Sequence, residues 1–159
     1  MKNEIIFKLS TRWRGRYTIS EGQEITIYAN CDDPTVWPYH VKYHSWKISM
    51  FDDPEVHEEK STPISAQIFE QIKDLISDHV EILLCNEELF EATSSTGHTD
   101  TLSFSCDSFT KNVRGCMLLH IGREDYNNGK DSDYATVFGL AKEITDLLQE
   151  QHGIDYLTL

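Results

Sequence analysis

A chain of 159 residues with 39% hydrophobic and 11% aromatic side chains can bury a real core, so a disordered polyanion is excluded despite a formal net charge of −13. No apolar run approaches the ~18 residues of a membrane span. The four cysteines (Cys31, Cys85, Cys106, Cys116) lack the close pairing that a disulfide framework or a structural zinc site needs.

The predicted elements follow in chain order. Ile5, Phe7, Leu9, Thr11 and Trp13 alternate with polar residues, which predicts a half-buried strand. A turn at Gly15, a restart at Tyr17 and Ile19, and the turn "SEGQ" lead to a further alternation at Ile25, Ile27 and Ala29. Residues 35–51 are β-rich, with Val41, Tyr43 and Ser45 on one face and His44, Trp46, Ile48 and Met50 on the other; Pro38 sets the start near an edge. "FDDPEVHEEKSTP" (51–63) reads as a polar connection carrying Asp52, Asp53, Glu55, Glu58 and Glu59.

Thr62 and Pro63 read as a helix start, after which Ile64, Ile68, Ile72, Leu75 and Ile76 keep amphipathic spacing. Glu70, Asp74 and Asp78 recur every four residues on another stripe. In an isolated helix such a row costs a few tenths of a kcal/mol per pair, so nothing local favours it. "VEILLCN" (80–86) reads as a buried strand, and the following loop holds Glu87, Glu88 and Glu91. Strands are expected at 101–109 and 115–122, then a loop built on Asn-Gly, then a helix over 134–152. Val137, Leu140, Ala141, Ile144, Leu147 and Leu148 mark the core stripe of that helix and Gly153 its stop; "IDYLTL" reads as a last strand. The sum is one α+β domain over 1–159. It has seven or eight mostly antiparallel strands, open or curled into a partial barrel, with two amphipathic helices packed on one face.

Charge separates along the chain. Residues 1–16 hold five basic side chains against Glu4, a balance of +4, which leaves −17 on the rest. "TRWRGRY" interleaves Arg12, Arg14 and Arg16 with Trp13 and Tyr17, a pattern used to grip single-stranded nucleic acid. Such grips sit in basic fields, and this chain is acidic overall. The arginines therefore read as structural, answered by the protein's own carboxylates, and no nucleic-acid binding by the chain alone is expected.

Other motifs resolve to structure. The loop with Asp125, Asn127, Gly129, Asp131 and Asp133 fails as an EF-hand, since counting from Asp125 puts Lys130 at position six and Thr136 at position twelve. His40 and His44, four apart on a strand, lie ~13 Å from one another, too far for one ion. No nucleophile elbow or cysteine-protease signature is present. No metal or cofactor is called for. Glu4 and Lys8 interrupt any secretory apolar segment, so a cytoplasmic location is expected.

The acid itself remains: Asp52, Asp53, Glu55, Glu58 and Glu59, the Glu70/Asp74/Asp78 stripe, and Glu87, Glu88 and Glu91, with Trp37, Trp46, Tyr39 and Tyr43 as candidate anchors. A face of this kind steers a basic protein partner. In general character, over the whole chain and without a motif match, the protein resembles the small acidic immunity proteins that bacteria make beside secreted toxins. The resemblance implies a protein-binding module that neutralises a basic partner such as a toxin nuclease. The alternative is a small enzyme or ligand-binding domain whose site assembles only in the fold.

Overall fold

The structure is a computed structural model and describes residues 3–13, 18–49, 55–79, 97–107, 109–157 and 159. Six strands are present among them: β1 (Asn3–Trp13), β2 (Thr18–Asn30), β3 (Tyr39–Ser49), β4 (Val56–Pro63), β5 (Thr99–Cys106) and β6 (Phe109–Cys116). They form one open antiparallel sheet in the order β4-β3-β2-β1-β5-β6. Helix α1 (Ala66–Asp78) follows β4, and α2 (Leu118–Asn127) and α3 (Asp133–His152) follow β6. The fold is thus α+β. Among the described residues, six strands and three helices stand against the expected seven or eight and two, and the sheet is open rather than curled into a barrel.

Strand alternation builds the core. Phe7, Leu9, Ile25, Ile27, Val41, Leu102, Phe104 and Val113 point to one side of the sheet and are buried there. Against them lie Ile68, Phe69, Ile72 and Ile76 of α1 and Val137, Phe138, Ile144 and Leu148 of α3. Each such side chain contributes ~1.5–3 kcal/mol of burial. In β1 the register shifts between Ile5 and Phe7, so Ile6 and Phe7 are both buried while Ile5 stays exposed. No described element packs on the other side of the sheet.

Five expectations about the elements change. "SEGQ" is not a turn: residues 20–23 run within β2, paired to β3 on one side and, from Glu21, to β1 on the other. The polar connection 51–63 is in large part a strand, β4, along the sheet edge. It lacks apolar alternation because its side chains are mostly exposed, as charged edge strands are. Pro63 ends β4 opposite His40, so α1 begins later: the Ser65 hydroxyl accepts from the Ile68 N–H at 3.1 Å. The apolar run 115–122 is not one strand. Met117 takes a left-handed conformation (φ 52°) that ends β6 and starts α2. Met117 offers no capping oxygen, and Asp100, buried on β5, accepts the Leu119 N–H at 2.9 Å instead. Residues 154–157 are not a strand: Ile154 is buried, and Tyr156 packs at a tilt on Tyr43 (5.1 Å) and bonds the Thr62 hydroxyl. The strand expected at 80–86 lies outside the described residues. Helix α3 matches its expected span, capped by Ser132 and stopped by Gly153 at φ 65°.

Candidate functional site: an acidic groove between two helices

α1 and α3 lie side by side on the sheet, and a groove of about 470 Å³ runs between them. Its apolar lining is Leu75 of α1 and Leu147 of α3, both half-buried at the margin of the core. Carboxylates stand on both sides: Asp74 and Asp78 from α1, and Glu143, Asp146 and Glu150 from α3. The helical repeat produces this. Asp74 and Asp78 are four apart, and Glu143, Asp146 and Glu150 follow at three and four, so each set keeps to one face beside its leucine.

Asp146 alone of the five carboxylates has a cation, Lys142, whose Nζ lies 2.8 Å away. The Asp146 hydrogen bond raises the Lys142 pKa against a small opposing effect of burial, and the Asp146 and Glu150 charges add to the rise. Asp74, Asp78, Glu143 and Glu150 make no ion pair among the described residues. A solvated groove with four unmatched carboxylates and two leucines offers a basic, amphipathic segment both charge and apolar contact.

The sequence-chosen residues disperse. Asp74 and Asp78 line the groove, while Glu70 is exposed but outside its lining. Glu55, Glu58 and Glu59 lie at or on β4, each tied to a base: Glu55 to His57 (3.2 Å), Glu58 to Lys60 (3.1 Å) and Glu59 to Lys42 (2.8 Å). Asp52, Asp53, Glu87, Glu88 and Glu91 lie outside the described residues. Trp37 is 51% exposed, and its indole N–H donates to the Ile64 carbonyl at 2.7 Å. Trp46 sits on the opposite face of the sheet. Tyr39 and Tyr43 are not free anchors, since both pack against the core, Tyr39 on Phe69 at 4.7 Å. Glu143, Asp146 and Glu150 were missed, although their spacing is the same signal that marked the α1 stripe.

Among the described residues no group of three metal-ligating side chains comes together. Asp125 and Asp131 belong to a helix junction, where Asp125 accepts the Ser132 hydroxyl at 2.7 Å. Asp100 and His98 are 3.0 Å apart, the pairing of a catalytic dyad, but the second Asp100 oxygen holds the start of α2. Cys116 pairs with Thr99 in the ladder, so its side chain alternates to the face opposite Asp100 and cannot join them. Comparison with protein-family models gives no match, and comparison with curated proteins gives none either.

Proposed function

We propose that the chain is an acidic protein-binding module of the immunity or inhibitor kind, which neutralises a basic partner such as a toxin nuclease by receiving it in the α1–α3 groove. The observation that carries this reading is the set of four unmatched carboxylates flanking two leucines. Like charges at this spacing do not stabilise a helix, so their arrangement is a recognition feature rather than a folding one. Steering by such a surface acts on the association rate, and contact with the leucines on the dissociation rate.

The test is kinetic, with the basic protein encoded by the neighbouring gene as partner. Stoichiometric inhibition of that protein is expected. Raising salt from ~50 to ~500 mM slows association by a decade or more and changes dissociation much less. Asp74→Lys with Asp78→Lys and Glu150→Lys slows association at low salt to a similar degree. An acidic partner, or an association rate indifferent to salt and to these substitutions, refutes the reading.

A further inference from the structure

The outer face of the sheet is a second surface with the opposite character. Strand alternation places Lys8, Arg12, Lys42 and Arg114 on it, against Glu24, Glu59 and, at its corner, Glu55. A net +1 here leaves −14 for the remainder of a chain whose total is −13. Two of the three carboxylates are matched by lysines, Glu24 by Lys8 (3.6 Å) and Glu59 by Lys42 (2.8 Å), while Glu55 lies 3.2 Å from the His57 imidazole at the corner. Arg12 and Arg114 are exposed and make no ion pair among the described residues. The expectation that the arginines of "TRWRGRY" pair internally therefore fails for Arg12, while Arg14 and Arg16 lie outside the described residues.

Rings lie beside these cations. Thr99, Arg12, Gly22, Trp46 and His57 form one row across β5, β1, β2, β3 and β4. The Trp46 indole lies over Gly22: a Cβ there would sit 2.5 Å from the indole Cζ2 and 2.7 Å from Cη2. Its N–H donates to the Ser20 hydroxyl at 2.9 Å, which fixes the ring across the neighbouring strand. His44 packs on Trp46 with centroids 5.3 Å apart, and His57 lies edge to edge with His44, their Nδ1 and Nε2 atoms 3.3 Å apart and the rings only 8° from parallel. Tyr28 and His40 form a second stack at 5.7 Å. Ser10, Thr99 and Thr101 supply hydroxyls between the two arginines.

We infer that this face binds single-stranded nucleic acid, with bases stacked on the Trp46–His44–His57 and Tyr28–His40 rings and phosphates paired with Arg12 and Arg114. Stacking platforms with a cationic track hold single strands without reading sequence. A duplex hides its base faces and lacks this mode. The total charge argues against any nucleic acid only if it acts as one sum. The groove carboxylates belong to helices on the far side of the sheet, a layer about 10 Å thick, and the Debye length at physiological salt is ~8 Å. Local charge then decides. The inference stands independently of the acidic groove.

The experiment is fluorescence anisotropy of labelled ten-nucleotide oligo(dT) and oligo(U) against the full chain at ~150 mM salt, where the Debye length is ~8 Å. Dissociation constants on the order of 10⁻⁵–10⁻⁴ M are expected, with a duplex and a mononucleotide at least tenfold weaker. Trp46→Ala weakens binding fivefold or more, the worth of one stacked base. Arg12→Gln with Arg114→Gln, both at exposed positions, lowers the slope of log affinity against log salt by ~1.4, two single-strand phosphate contacts. Asp74→Asn with Asp78→Asn leaves binding within twofold. No binding up to ~10⁻³ M, duplex binding of equal strength, or wild-type affinity in the arginine variant would overturn the inference. So would concentration-dependent self-association competing with the oligonucleotide, which would assign the face to the acidic side of a second copy.

Discussion

On the helix side, four carboxylates of the α1–α3 groove have no cation among the described residues, because Lys142 is taken by Asp146 and Lys73 by Glu4 and Asp107. On the outer sheet face Glu24 and Glu59 are matched by lysines, and Arg12 and Arg114 are the cations with no ion pair among the described residues. Apolar contact differs in the same way: two leucines lie between the helices, flat rings on the strands. The lesson is that a net charge of −13 describes neither surface. Screening over ~8 Å makes each face answer for its own residues.

One carboxylate differs from those of both surfaces because the fold itself needs it. Asp100 is fully buried and accepts from the Leu119 N–H and from His98. Asp100→Ala leaves a buried donor unmatched and is expected to cost about 2–3 kcal/mol, a fall in Tm of roughly 5–10 °C. Asp100→Asn keeps an acceptor for Leu119 and recovers part of the loss. Equal stability of the alanine variant, read by thermal unfolding, would mean that Asp100 does not hold α2.

On the sheet face, Gly22→Val drives a side chain into Trp46 and the Thr11 carbonyl. A loss of about 1–3 kcal/mol is expected, with Trp46 displaced and its fluorescence shifted towards that of a solvated indole. An unchanged emission spectrum would show that the indole does not lie across the strand.

A smaller effect belongs to Lys73, which ties β1 to α1 through Glu4 and Asp107, each at 2.7 Å. Burial alone would lower its pKa, but the hydrogen bonds to Asp107 and Glu4 outweigh it and hold the ammonium above its ordinary range. A folded pKa above the unfolded one stabilises fully below the unfolded value, ~10.4, and the contribution is lost as pH rises through the folded value. Lys73→Met should therefore cost up to about 1 kcal/mol, unchanged between about pH 6 and 9 and narrowing in stronger alkali. Denaturant unfolding at several pH values reads this directly. A gap that widens with alkali would contradict it.

The smallest effect sharpens the contrast most. Asp74→Asn, Asp78→Asn and Glu150→Gln together should shift stability by no more than about 0.5 kcal/mol, if anything upward, because like-charge repulsion is relieved. A substantial loss would make the groove acids structural, as Asp100 is.

What the sequence made legible follows the range of the interactions. Helix α3 is set by neighbours in sequence, the Ser132 cap, the leucine stripe and Gly153, and it was read correctly. β4 was not, because an exposed edge strand carries no apolar alternation; its pairing with β3 is the whole signal. The start of α2 depends on Asp100, 19 residues away, with no local mark beyond an ambiguous apolar run. Half of the groove was visible as the α1 stripe. The other half kept the same spacing on α3, but only packing shows that the two rows face one space. The Trp46 platform needs Gly22 and Ser20 of β2 and His57 of β4 brought to Trp46 of β3, which periodicity within one strand cannot reveal.

If the two faces act separately, each should answer to its own ligand. Amide and indole NMR shifts of the full chain would be followed while a lysine–leucine amphipathic peptide and, in a second titration, oligo(dT) are added. The peptide is expected to move Gln71, Leu75, Leu147 and Glu150, and the oligonucleotide Arg12, Gly22, Thr99 and the Trp46 indole. Shifts from both probes on the same residues, or from neither on its assigned face, would contradict this.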